Sequence, residues 1–304
     1  MPRLTDIGDS EALDNRYARK VIVYVEADMD ATIFYGLAGT GIREYLEFKV
    51  PTSLSTGGNA VKNEVVQRRP EYPRIFGLID GEDAVKEGAV DELLSCRSAM
   101  FQLAGGADGI IFLGHHEAEN VLLIHGDLAD LVRRDQSIPK SADMSDGEID
   151  ERIATVVRHF FHAALLKYAS MTLNYRTNVL APETGCKVID SARFLASDDR
   201  KAILDAIKQG VQQEGVVDWM DLVDEVKRTW KVVRNEYVRA RPDAARCSRE
   251  RMRLADGKSV LKKLARLSAS DPAKWNNHLL ETARNKPFAR QFRDDILTLT
   301  RATA

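Results

Sequence analysis

Short apolar runs separated by polar clusters mark the first 120 residues. Val21-Ile22-Val23-Tyr24-Val25, Glu47-Phe48-Lys49-Val50, Ile75-Phe76-Gly77-Leu78-Ile79 and Ile110-Ile111-Phe112-Leu113 are too short for helices and read as strands. Between them the spacing turns helical. Ile33, Phe34, Leu37 and Ala38 share one helix face, Thr56-Gly57-Gly58-Asn59 supplies a turn and cap ahead of a helix over 60–67, and a further helix is predicted from about 84 to 100. Strands alternating with helices predict an α/β fold whose sheet has short, mainly parallel strands flanked by helices.

After Glu117 the period changes. Val121, Leu122, Leu128 and Leu131 predict a helix interrupted near Gly126, and beyond Asp150 apolar residues recur almost throughout at helical intervals, as in Trp219, Leu222, Val226, Trp230 and Val233. The expected organisation is a polar arm over 1–19, an α/β domain over 20–135 and a mostly α-helical domain over 136–304.

Composition narrows the class. Apolar content of 44% with 30% charged residues fits a globular protein, and no apolar run approaches the roughly 20 residues of a membrane span. The start, Met1-Pro2-Arg3-Leu4-Thr5-Asp6, lacks a basic and apolar leader, so a cytoplasmic protein is expected. Cys96, Cys186 and Cys247 form no CxxC pair, which argues against a zinc ribbon and a disulfide framework. Charge is unevenly placed. Residues 227–266 carry 14 Lys/Arg against 4 Asp/Glu within a chain of net charge −2, so the remainder is acidic. Arg246, Arg249, Arg251, Arg253, Lys262, Lys263 and Arg266 form the densest basic set and are the candidate nucleic-acid contacts.

Acidic residues cluster where three apolar runs end: Glu26 with Asp28 and Asp30, Asp80 with Glu82 and Asp83, and Glu117 with Glu119. Singly, each acid reads as a helix cap. Together, at the carboxyl edge of a parallel sheet where ligands bind, they read as a site for a hard divalent cation, Mg²⁺ or Mn²⁺. Such ions complete their shells with water and phosphate oxygens, so a phosphodiester is the natural substrate. Glu26, Asp80 and Glu119 are the expected ligands, Asp30 a supporting or water-mediated one, and Asp28 a solvent-exposed acid. Gly57-Gly58-Asn59 lacks the spacing of a nucleotide-binding loop, so no ATPase activity is expected. His115 and His116 adjoin the third acidic cluster and read as hydrogen-bonded structural residues, with contact to a phosphate or protonation of the leaving oxygen as the alternative.

The order strand-Glu-x-x-x-Asp, glycine turn with helix, then strand-Asp-x-acid resembles the TOPRIM fold shared by topoisomerases, primases and nucleases. His116-Glu117-Ala118-Glu119-Asn120-Val121-Leu122-Leu123 is similar to the H-x-x-E-N-x-L-L segment of the nuclease branch related to the overcoming-lysogenization-defect enzymes. With Asp256-Gly257-Lys258-Ser259 and the helical second half, the chain resembles the nuclease effectors of the PARIS anti-phage defence systems. The resemblance implies a metal-dependent endoribonuclease held inactive by an ATPase partner subunit, then released to cleave host tRNA, with an active homodimer expected. It also implies a catalytic Lys258 whose ammonium offsets charge on the scissile phosphate. Two positions depart from the pattern. Ala27 stands where a glycine is usual, and Asp80-Gly81-Glu82-Asp83 leaves open whether Glu82 or Asp83 is the second acid.

Overall fold

The computed structural model describes residues 20–52, 57–134, 145–173, 205, 208–213, 215, 217–239, 249, 251–267 and 271–301. The predicted arm lies outside them. The chain forms two compact units built from discontinuous segments rather than consecutive halves. A sheet unit takes Met1–Asp80, Ser98–Leu113 and Ala283–Ala304, and a helical unit takes Gly81–Arg97 and Gly114–Thr282.

The sheet unit holds five strands, β1 (Val21–Tyr24), β2 (Leu46–Lys49), β3 (Ile75–Ile79), β4 (Met100–Phe101) and β5 (Ile110–Leu113), in the order β2-β1-β3-β5-β4. All pairings are parallel except β4 with β5. The four longer strands are the predicted ones. Helix α1 (Asp28–Ala38) connects β1 to β2 and α2 (Gly58–Arg68) connects β2 to β3. These crossovers run in opposite directions along the sheet, so right-handed connection places the two helices on opposite faces.

Sequence pattern explains how each face is closed. Phe34 of α1 lies 5.7 Å from Phe48 and stacks at 5.4 Å on Phe292 of the last helix, α11 (Pro287–Arg301). Phe292 is fully buried, which stabilises the unit by roughly 1.5–3 kcal/mol. On the other helix, Val61 and Val65 press against Gly77 of β3 so closely that a Cβ there would stand 2.6 Å from Val61 and 3.2 Å from Val65. At the opposite end of β3, buried Arg69 donates to Ile75 O at 2.8 Å and pairs with Asp108, tying the starts of β3 and β5.

The helical unit contains α3 (Gly81–Lys86), α4 (Val90–Ser95), α5 (Ala118–His125), α6 (Leu128–Arg134), α7 (Asp146–Thr172), α8 (Trp219–Arg239), α9 (Gly257–Leu267) and α10 (Pro272–Ala283). Its core gathers Phe160, Phe161 and Tyr168 from α7, Leu122 from α5 and Leu261 and Leu264 from α9. The break near Gly126 occurs as predicted. The single helix expected over 84–100 does not form. Gly88, at φ 80°, ends α3 in the left-handed region, and Met100-Phe101 pairs with β5 as an edge strand. That apolar dipeptide is too short for its periodicity to separate strand from helix.

Gly77→Ala is expected to destabilise the protein by about 1–3 kcal/mol through overpacking against α2. A Val61→Ala background should recover part of the loss, both read from thermal melts.

Candidate functional site

In the sheet unit Glu26 follows β1 and Asp80 follows the neighbouring strand β3. The Glu26 carboxylate bridges the two: its Oε1 accepts the Asp80 backbone N–H at 3.0 Å. Gly57, at φ 74°, begins α2 where a Cβ would come within 3.5 Å of Glu26 Oε2, so the glycine turn lies beside this carboxylate. Asp30 is buried in the first turn of α1 and Asp28 is exposed, as expected. Ala27 is exposed with φ −148° and ψ 162°, an extended conformation open to any residue, so the missing glycine costs no strain here.

In the helical unit the chemistry gathers at the start of α5. Glu117 is its N-cap and forms a capping box with Asn120. Glu117 Oε2 also accepts the Lys258 backbone N–H at 2.9 Å, while the Lys258 ammonium stands 3.7 Å from Glu117 and 3.9 Å from Glu119. Burial, reinforced by the nearby charge of Asp256, pushes the Glu117 carboxyl up to about 8. Glu119 is buried in the first turn. The Lys258 side chain is 55% exposed, so its ammonium reaches solvent while its backbone is held.

A second ionic group surrounds Glu82. Its carboxylate contacts Lys167 of α7, with His116 Nε2 at 3.3 Å and Lys86 at 3.7 Å. Burial alone would raise this carboxyl, but Lys167, then His116 and Lys86, override it and hold it at about 2. The paired Lys167 is pushed up by Glu82 against the effect of its own burial. His116 is completely buried and meets the Tyr168 hydroxyl through Nδ1 at 2.5 Å. Burial, with Lys167 alongside, lowers its imidazole to about 4. Asp83 is buried and carries Lys86 as its own partner. Both residues considered for the second acid position therefore already face a lysine.

The basic set does not form one surface. Arg253 is buried, and its guanidinium donates to the Leu93, Leu94 and Gly114 carbonyls at 3.0, 3.0 and 2.7 Å. It is a structural tie, which corrects its assignment as a nucleic-acid contact. Arg249 and Lys262 are exposed, and Arg251 and Lys263 half-buried. Arg246 and the Arg266 side chain lie outside the described residues.

On sequence alone Glu117 stands in the third acidic cluster without a ligand role, and Asn120, Lys167, Tyr168 and Asp256 have no part in the site. Asn120 stands within the motif that carried the resemblance. Lys167 had no such signal, being one charged position on a long amphipathic helix. Among the described residues no three His, Cys, Asp or Glu side chains form a ready-made metal cluster. Comparison of the chain with protein-family models, with curated proteins and with solved structures returns no match.

In metal-free buffer the melting temperature is expected to fall as pH rises from about 6.5 to 8. Folded Glu117 keeps a proton that its unfolded counterpart, with an ordinary value of 4.5, has already lost, so stability present at low pH disappears as the folded group ionises. The decline corresponds to about 2 kcal/mol, and Glu117→Gln should abolish it. Lys167→Met is expected to cost roughly 3 kcal/mol by stranding the Glu82 charge, and the double variant with Glu82→Gln should regain much of that in the same melts.

Proposed function

We propose that this protein is a divalent-cation-dependent nuclease that hydrolyses phosphodiester bonds in RNA, with host tRNA as its substrate in anti-phage defence. The observation that carries the reading is topological. The acid-bearing segments follow β1, β3 and β5, which are consecutive neighbours in the parallel part of the sheet, so these three strands end at the same edge. The sequence supplied the acids but not that order.

The donor chemistry fits Mg²⁺ or Mn²⁺. The candidate ligands are all carboxylate oxygens, and Mg²⁺ is usually held by one or two carboxylates with water and substrate phosphate completing the shell. In the sheet unit Glu26 and Asp80 are assigned to the ion, with Asp30 in support, and Glu119 of the helical unit is assigned by the resemblance alone. Glu82 and Asp83 already carry lysine partners, which shifts the main role to the other three. When bound, the ion supplies Lewis-acid polarisation of the phosphate and a more acidic water. Glu26, fixed through its bond to Asp80 N–H, orients the incoming water. By the resemblance, the ammonium of the half-exposed Lys258 side chain offsets the charge that develops on the phosphate oxygens.

Substrate and setting rest on the resemblance of the Glu26-x-x-x-Asp30, Asp80-x-Glu82 and His116-x-x-Glu119-Asn120 motifs to TOPRIM nuclease effectors. On the same ground an ATPase partner subunit restrains the protein, which acts as a homodimer once released. Among the described residues no helix is long and apolar enough to cross a membrane.

Purified protein with end-labelled tRNA is expected to cleave it in Mg²⁺ or Mn²⁺ and not in EDTA. Cleavage should fall to background in folded Glu26→Gln and Asp80→Asn variants. Preferential nicking of supercoiled plasmid would transfer the activity to DNA, and metal-independent or absent cleavage of both substrates would overturn the nuclease reading.

A further inference from the structure

We propose that Asn120 is a positioning residue, a clamp that fixes the segment from Arg253 to Lys258 against the start of α5 and so sets where the Lys258 ammonium stands. The inference rests on the reading of Lys258 as the charge-stabilising group of the nuclease.

Asn120 is completely buried and its amide is fully used. Oδ1 accepts the Glu117 N–H at 2.8 Å, and Nδ2 donates to the carbonyls of Met252 at 2.5 Å and Ala255 at 2.8 Å. Both donors face main-chain oxygens. An aspartate would set an anion against two carbonyls, and an aliphatic residue would leave them unsatisfied.

The next residues follow from that grip. Gly257 lies so close to Asn120 that a Cβ would stand 2.6 Å from its Oδ1, 2.8 Å from its Cγ and 2.9 Å from its backbone nitrogen. No side chain fits between the two segments. Immediately beyond, Lys258 N–H meets Glu117 Oε2 and Ser259 N–H meets Asp256 Oδ1 at 2.8 Å. Upstream, His116 N–H bonds to Arg253 O at 2.9 Å. The root of the Lys258 side chain is therefore fixed on both sides, and only its stem and ammonium are left to move.

The first four N–H groups of a helix have no partner within it and ordinarily exchange freely. In the full-length protein the Lys258 amide is instead expected to be strongly protected in hydrogen-exchange mass spectrometry. Asn120→Ala and Gly257→Ala should each remove that protection and raise acetylation of Lys258 several-fold relative to Lys262 on the next turn. Both should lower kcat for tRNA cleavage by roughly tenfold or more through misplacement, with KM little changed and the melt still cooperative. Fast exchange of the Lys258 amide in the unaltered protein would overturn the clamp, and this measurement stands even if Asn120→Ala does not fold. An unchanged Lys258-to-Lys262 reactivity ratio in folded Gly257→Ala would overturn it equally. Exchange and acetylation need no turnover, so absence of cleavage by the unaltered protein would sink the nuclease reading while leaving the clamp decided on its own data.

Discussion

A backbone N–H withdrawn from water must find an acceptor. In this chain three carboxylates of the two units meet that requirement. Glu26 accepts from Asp80, Glu117 from Lys258 and Asp256 from Ser259. Helix capping and a chemical role are often weighed as rival readings of such acids. The two readings are compatible here, because the bond that satisfies a main-chain donor also fixes the direction of the carboxylate. Glu26 cannot drift from the end of β3 without orphaning a backbone group, and the same holds for Glu117 at the start of α9.

Charge compensation separates the acids into two kinds. Glu82 and Asp83 each have a lysine, and Glu82 is held ionised far below the ordinary carboxylate range. Glu117 is pushed the other way by burial and the nearby charge of Asp256, against the opposing effect of the Lys258 ammonium 3.7 Å away. The neighbouring imidazole of His116 is kept neutral by burial and by Lys167 and is oriented by Tyr168. Among the described residues of the helical unit, Glu82 is thus held ionised and Glu117 protonated by opposite balances of burial and charge.

The fold was legible where pattern and length agreed. Four strands of four or five apolar or alternating residues were readable, as was the glycine turn before α2. The edge strand Met100–Phe101 was not, because two residues carry no period. Strand order was not readable either, since it depends on crossovers that no local run of residues encodes. Glu26, Asp80 and Glu119 drew notice as candidates by position after apolar runs, and the structure shows the first bonded to the backbone of the second. Lys167 drew none, because its partner Glu82 is 85 residues away and only packing of α7 brings them together. Arg253 misled for a related reason. A basic residue in a basic run reads as exposed, whereas its environment is set by the carbonyls of α4 and Gly114, which are distant in sequence.

The last helix closes one face of the sheet unit, with Phe292 stacked on Phe34 and Asp295 accepting the Ala99 N–H at 3.2 Å. Synthesis proceeds from the N-terminus, so α11 leaves the ribosome after all five strands that it helps to cover. Phe34 and the sheet face it lies on lack this cover until the chain has been made through α11, more than 250 residues after Phe34. A nascent chain therefore cannot complete this unit before α11 has emerged.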